Sequence, residues 1–241
     1  MKNTFKYLED TYLFEDESVI LSQGADDRGS FITLEHTIFH PQGGGQPSDV
    51  GIILRDGSVT SVEFVAFTSG EIRHYVKAGG ALLNSGDKVT LKIDRAVRLQ
   101  NSKCHTAGHL VQAAVENLPY DLQAVKGYHF SDGPYVEFNG TMPANIDTFI
   151  SEVNAALAAM IKQGHGITTK MVNFDELQAI SKNIPNGLPR EKPLRVVTID
   201  GFNNAVPCGG THLRNTNEME RLEINKVKSK KGNIKISYTF G

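Results

Sequence analysis

Long apolar runs are missing from this 241-residue chain. No stretch approaches the roughly 20 apolar residues that a membrane-spanning helix needs. The opening residues, MKNTFKYLEDTYLFEDE, lack the apolar core of a secretory signal and carry too many acids for a transit peptide. Cysteine is scarce as well. Cys104 and Cys208 are the only two, too few for a disulfide framework. A soluble protein of a reducing cytoplasm is the expectation. Two motif classes are also absent. The run Gly43-Gly44-Gly45 is not followed by Gly-Lys-Ser/Thr, so it is no triphosphate loop and no nucleotide cofactor is expected. Position 106 is Thr, so the pair His105 and His109 lacks the glutamate of an H-E-x-x-H protease. No long internal repeat and no motif of a dedicated RNA-binding module is visible.

What is present suits a globular protein of one large or two ordinary domains. Hydrophobic residues make up 39% and charged residues 22%, enough apolar content for a packed core rather than disorder. The net charge of −2 is unevenly spread. Residues 1–95 hold 9 Lys/Arg against 14 Asp/Glu, and residues 96–241 hold 16 against 13. The second part therefore carries the basic excess, which fits an anionic substrate there and equally fits ordinary surface variation.

Before residue 94 the sequence reads as short strands (FITLEHTIFH, GIILRD, SVEFVAF, EIRHYVK, KVTLKID) separated by turn signals, with no long helix. Such regular spacing predicts a small barrel or sandwich over 1–93. The pattern changes at Asp94. RAVRLQNSKCHTAGHLVQAAVENL has helical spacing, with Asp94 as a candidate N-cap and Pro119 beyond the end. A hairpin around Ser131-Asp132-Gly133-Pro134 follows. A second helix comes next, capped by Asn145 or Asp147 and stopped by Gly164. Then come a strand (ITTKMVN), a helix started by Asn173 with Glu176, a proline-rich loop (NIPNGLPREKP), a strand (LRVVTID) and a closing hairpin around Lys-Lys-Gly-Asn. Residues 94–241 thus form a second domain. Without a regular βαβ rhythm, the class is α+β with a mainly antiparallel sheet packed by helices.

Chemistry is carried by a split set of metal-type side chains. His105-Thr106-Ala107-Gly108-His109 places two imidazoles four apart on one helix face. Cys208-Gly209-Gly210-Thr211-His212 places a thiol and an imidazole around a double glycine that lets a loop turn back. Three nitrogens and one sulfur suit a tetrahedral zinc ion, one per chain. Cys104 points about 100° away from His105 around the helix and is read as a small core residue. His36, His40, His74, His129 and His165 lack partners at metal spacing and are read as ordinary polar residues. A zinc ion here would either staple helix to loop, or polarise a carbonyl and activate water.

These motifs resemble a known family. H-T-A-G-H after D-R-x-x-R, and C-G-G-T-H followed by Asn215-Thr216 and Glu218, are similar to the editing domain of alanyl-tRNA synthetase and to the free-standing AlaX editing proteins. Phe39-His40-Pro41-Gln42-Gly43-Gly44-Gly45-Gln46-Pro47-Ser48-Asp49-Val50-Gly51 is similar to the glycine-rich segment of the preceding barrel in that family. The three motifs stand in family order, and the length suits the medium-sized form. The resemblance implies an N-terminal β-barrel followed by an editing domain with zinc ligands His105, His109, Cys208 and His212. It implies hydrolysis of mischarged tRNA-Ala, carrying Ser and also Gly, with a glycine-rich loop that helps shape amino-acid choice. Three positions depart from the family: His40 stands where Tyr is usual, Val125 where Gln is frequent, and Lys235 where Arg is frequent.

Recognition of a serine hydroxyl needs polar groups that a substrate without it would leave unpaired. Candidates are Thr106, Thr211, Gln42, Gln46 and Gln123, while Gly43, Gly44 and Gly45 are candidates for backbone that lies close to the substrate. No side chain is assigned as general base, which leaves water activated by zinc. Candidates for the phosphates of the tRNA acceptor end are Arg95, Arg98, Arg214, Lys228, Lys230, Lys231 and Lys235, with Lys226 beside them. Three other functions fit the same residues: a threonyl-type deacylase, a zinc-stabilised RNA-binding protein without turnover, and a metalloesterase acting on a small molecule. Oligomeric state is left open by the sequence.

Overall fold

A computed structural model describes residues 4–77, 83–182, 184–185, 187–202 and 204–241. The chain divides into two compact units, Met1–Ser102 and Lys103–Gly241.

The first unit is a closed antiparallel barrel. Its strands are β2 (Glu15–Asp26), β3 (Gly29–Leu34), β5 (Gly51–Arg55), β6 (Ser58–Thr68), β7 (Glu71–Val76) and β8 (Lys88–Ile93), joined in the order β2-β3-β7-β6-β5-β8. Two short strands, β1 (Thr4–Phe5) and β4 (His36–Thr37), pair in parallel outside it. Alternation builds the interior. Along β8, Val89, Leu91 and Ile93 are buried while Lys88, Thr90 and Lys92 are not. Bulges at Ile20/Ser22 and Val62/Phe64 bend the two longest strands, as closure requires. Strand β2 carries no turn-bounded apolar run. Only Ser18 and Ile20 of its twelve residues are buried, and it is a strand because β3 and β8 pair with its two edges.

The glycine-rich segment is tied down by one buried ion pair. Asp49 and Arg98 are both fully buried, 2.5 Å apart at the closest. The Asp49 carboxylate also accepts the His40 N–H at 2.6 Å. The Arg98 guanidinium donates further to the carbonyls of Thr11 and Ile38 at 2.8 and 2.5 Å. Three segments of the first unit, at Thr11, Ile38 and Asp49, thus meet at one arginine. Arg98 cannot meet RNA phosphates, which corrects the expectation above: its donors face carboxylate and carbonyl oxygens inside the fold. Between the anchors, Gly43 and Gln46 exchange backbone hydrogen bonds around Gly44 and Gly45, both left-handed (φ 56° and 79°), as a tight hairpin turn needs.

Helix α1 (Arg95–Glu116) starts in the first unit and ends in the second. Asp94 Oδ1 caps it by accepting Val97 N–H at 3.1 Å. In the second unit, β9 (Leu122–Tyr128), β10 (Tyr135–Gly140), β14 (Leu222–Lys230) and β15 (Asn233–Phe240) form an antiparallel sheet of order β14-β15-β10-β9. A second antiparallel sheet joins β11 (Ile167–Val172), β12 (Leu194–Ile199) and β13 (Val206–Pro207). Helix α2 (Ile146–Gln163) is capped by Asn145, which accepts Thr148 N–H, and ends at the left-handed Gly164. Asn154 fastens it to β14 through two hydrogen bonds with the backbone of Ile224. Helix α3 (Phe174–Ile180) opens with the full Asn173/Glu176 capping box. The core lies between the α1 and α2 faces (Ala107, Leu110, Val111, Phe149, Val153, Leu157) and the sheet residues Val136, Phe138, Ile234 and Ile236. The class is α+β, with the barrel first. Residues 183 and 186 of the proline-rich loop lie outside the described residues.

Two outcomes are expected for the barrel. Arg98→Met leaves the Asp49 carboxylate buried without its countercharge and should lower unfolding free energy by about 3–5 kcal/mol, read from the urea midpoint. His74 is buried, with Nδ1 against the Ile32 carbonyl and Nε2 against Thr37 Oγ1. Burial depresses its pKa from 6.5 to about 4. The unfolded chain therefore binds the proton more readily. The resulting stabilisation is complete above 6.5 and is lost as pH falls through about 4. His74→Gln should flatten the acid limb of a stability-versus-pH curve in that window, by up to about 3 kcal/mol.

Candidate metal centre

The centre is assembled from one helix and one loop of the second unit. Helix α1 buries Ala107, Leu110, Val111 and Ala114 in the core, and the same turns present His105 and His109 together. The loop is set by β12. Cys208 N–H donates to the Arg195 carbonyl at 3.0 Å, and the Arg195 guanidinium donates back to the carbonyls of Cys208 (2.8 Å) and Gly210 (3.0 Å). Arg195 thereby holds the Cys208–Gly210 turn in shape. Gly210 N–H in turn donates to Cys208 Sγ at 3.3 Å.

One donor atom from each of His105, His109, Cys208 and His212 lies within 4.8 Å of all the others. Cys208 Sγ is 3.4 Å from His105 Nε2 and 3.3 Å from His212 Nε2. Donors around a tetrahedral zinc ion stand about 3.3–3.6 Å apart, so the group fits such an ion with small adjustments. The three imidazoles are buried and Cys208 is half-buried. Burial pushes the His109 pKa down to about 4, and Arg195 acts in the same direction. His109 is therefore neutral near pH 7, with a lone pair to give. Burial raises the Cys208 thiol, while the Gly210 N–H and Arg195 oppose that rise. These two groups offset part of the cost of a buried thiolate, and a cation would offset the rest.

A second layer orients these donor side chains. Thr106 Oγ1 accepts Leu213 N–H at 3.0 Å and lies 3.3 Å from His212 Nδ1, which leaves His212 Nε2 on the Cys208 side. His129 stacks on His105, ring centroids 4.3 Å apart and planes 21° apart. Its Nδ1 is 2.8 Å from the Tyr238 hydroxyl, and that hydroxyl donates to the Cys104 carbonyl at 3.0 Å. With the Tyr238 proton so placed, His129 Nδ1–H is the donor. The slot for this ring exists because two residues have no side chain. A Cβ at Gly108 or at Gly127 would overlap the His129 imidazole. The glycine inside H-T-A-G-H, costly by about 1 kcal/mol in a helix, is thereby explained.

Comparisons with known proteins bear on the chain as a whole. A family model described as class II (A) tRNA synthetases matches residues 4–97. An alanyl-tRNA editing protein AlaX-M of Methanosarcina acetivorans is 30% identical over 245 residues, covering 97% of each chain. This chain belongs to the AlaX family of alanyl-tRNA editing proteins. An AlaX-L relative from Pyrococcus horikoshii is also 30% identical, over 98% of this chain, which spans 57% of that relative's length. The alanine–tRNA ligase of Archaeoglobus fulgidus is 29% identical over 98% of this chain, which spans 25% of that enzyme.

The other candidate residues of this AlaX family member lie in varied places. Thr211 is fully buried and Gln123 is exposed on β9. Gly43, Gly44 and Gln42 are exposed and Gln46 is buried, all within the first unit. Arg95 is exposed, its guanidinium 5.1 Å from the centre of the Phe14 ring. Arg214, Lys228, Lys230 and Lys231 are exposed, and Lys235 is half-buried over Tyr135. Arg195 and His129 were not singled out by sequence. Arg195 is visible there only as a lone cation in an apolar strand, and His129 has no partner at any short spacing.

His129→Ala should empty the slot beside His105 and weaken zinc retention about 10–100-fold, measured by chelator competition. Gly108→Ala should do the same by expelling the ring, although it raises helix propensity.

Proposed function

We propose that this protein is a zinc-dependent aminoacyl-tRNA deacylase that clears tRNA-Ala wrongly charged with serine, and with glycine. The observation that carries the reading is the convergence of His105, His109, Cys208 and His212 in a chain 30% identical to AlaX-M over almost its whole length. The substrate bond is an ester between the amino acid and a ribose hydroxyl of the terminal nucleotide. When bound, zinc supplies a Lewis acid for the ester carbonyl and a means of activating water near neutral pH.

The chain's own residues bind and orient. Neutral His109 and the Gly210 N–H on Cys208 Sγ prepare the donor set before any ion arrives. Thr106 holds the His212 ring and the Leu213 backbone. Its hydroxyl is engaged there, so we assign it to ligand support rather than to the serine hydroxyl. Burial of the imidazoles lowers the local dielectric, and a developing oxyanion is stabilised more strongly in such a site than in water. Exposed cations Arg214, Lys228 and Lys230 belong to the same unit as the donors and suit an acceptor-end phosphate backbone. No helix among the described residues is long and apolar enough to cross a membrane.

The test is deacylation of Ser-tRNA-Ala, Gly-tRNA-Ala, Ala-tRNA-Ala and Ser-tRNA-Thr, each with and without a chelator. Hydrolysis of the first two, abolished by chelation and restored by zinc, is expected. Cys208→Ala should lose zinc and turnover together. Hydrolysis of Ser-tRNA-Thr alone would move the chain to a threonyl-type activity. Inactivity of the zinc-loaded protein on all four would overturn the reading.

A further inference from the structure

The four-stranded sheet of the second unit has two unlike faces. One packs in the core through Val136, Phe138, Ile236 and Tyr238. The strand register places the opposite set on the other face. Tyr128 stands opposite Tyr135, and Tyr135 stands opposite Ser237, which is opposite Lys226. One row along, Lys126 faces Glu137, then Lys235, then Lys228. Lys126, Lys226, Lys228 and Lys230 are exposed, and Glu137 is the carboxylate set among them. Glu137 is already engaged by Lys230 at 3.1 Å.

Aromatic rings run beside these lysines. Phe130, Tyr128 and Tyr135 form a column, with centroids 4.6 and 5.1 Å apart and planes within 17° of parallel. All three rings are half-buried. Lys235 Nζ, from the neighbouring strand β15, sits 3.6 Å from the Tyr135 ring centre. The column therefore has a cation at one end and the Phe130 ring at the other. Positive charge on this face is under-compensated. The Lys228 ammonium is held below the ordinary lysine value, first by Lys226 and then also by Lys235.

We propose that this face binds single-stranded RNA, with bases continuing the Phe130–Tyr128–Tyr135 column and phosphates meeting Lys226, Lys228 and Lys235. Regularly spaced cations alone would suit any polyanion. Parallel rings beside them suit one whose bases are unpaired and can stack, because duplex RNA keeps its bases inside. An acidic peptide would satisfy the lysines and leave the ring column unused. The strand that carries the column also serves the metal centre. Tyr128 and Phe130 flank His129, whose ring turns to the other side to stack on His105. The inference deepens the deacylase reading, and rests on it for the identity of the RNA as the unpaired acceptor tail of tRNA.

Binding can be measured by fluorescence anisotropy with the zinc-loaded full chain. The probes are a labelled single-stranded RNA ending in CCA, a duplex RNA of equal length and a poly-glutamate peptide. Preference for the single strand is expected. Phe130→Ala should weaken it by roughly tenfold, from the loss of the ring at the open end of the column. Lys226→Glu with Lys228→Glu, both on the exposed sheet face, should weaken binding and make the salt dependence shallower by about 1.4 in log–log slope. Zinc content and circular dichroism verify that the variants fold. In the deacylation assay the lysine variant should raise KM and leave kcat unchanged. Equal affinity for all three probes, or unaltered single-strand binding in every folded variant, would overturn the proposal. Loss of binding in the variants of a protein that deacylates nothing would uphold the RNA face and sink the editing reading. Intact deacylation with unchanged KM would do the reverse.

Discussion

Four donor atoms from places a hundred residues apart must meet within one ion's reach, and the second unit is organised around that constraint. The helix supplies two of them cheaply, since an i,i+4 pair shares a face whatever surrounds it. The loop needs more. Arg195 on β12 clamps the carbonyls of Cys208 and Gly210, and β12 itself is positioned by pairing with β11 and β13. The hydrophobic core between α1, α2 and the four-stranded sheet fixes where that helix stands. Removing a donor would be a local change. Loosening the core or the clamp would move several donors at once.

The layer behind the ligands follows from the same constraint. An imidazole can rotate about its bonds, and its geometry is useful only if both ring position and tautomer are set. Thr106 does this for His212 through a hydroxyl shared with the backbone of Leu213. His129 does it for His105 by stacking, and is itself held by Tyr238 and by the space left at Gly108 and Gly127. The barrel obeys a comparable logic on its own terms. There the Asp49–Arg98 pair, fully removed from water, is satisfied by backbone groups of Thr11, Ile38 and His40. A charge pair so enclosed is a device for holding loop geometry more than a source of net stability.

Much of the local structure was legible. Caps at Asp94, Asn145 and Asn173, the stop at Gly164 and the hairpin around Ser131–Pro134 each depend on a few adjacent residues, and each stands where the spacing indicated. Strand β2 was not legible, because its pairing edges rather than its side chains make it a strand. Arg98 was misread as an RNA contact, because nothing near it in sequence announces Asp49. His129 was passed over for the same reason: its partners His105, Gly108 and Tyr238 come from other elements. The ring column of Phe130, Tyr128 and Tyr135 depends on the register of β9 against β10, a non-local fact.

By itself the amino-acid sequence determined the types and spacings of the candidate ligands, the barrel-then-α+β order and the family to which the chain belongs. Those rest on residue chemistry and on periodicities of two and 3.6, which are readable over short windows. Tertiary structure decided which polar residues are enclosed and which face outward. It turned Arg98 inward, placed His129 behind His105, and gathered lysines from three strands onto one side of a sheet. Burial and long-range pairing belong to the packed chain, and a residue's role changes with them even though its chemistry does not.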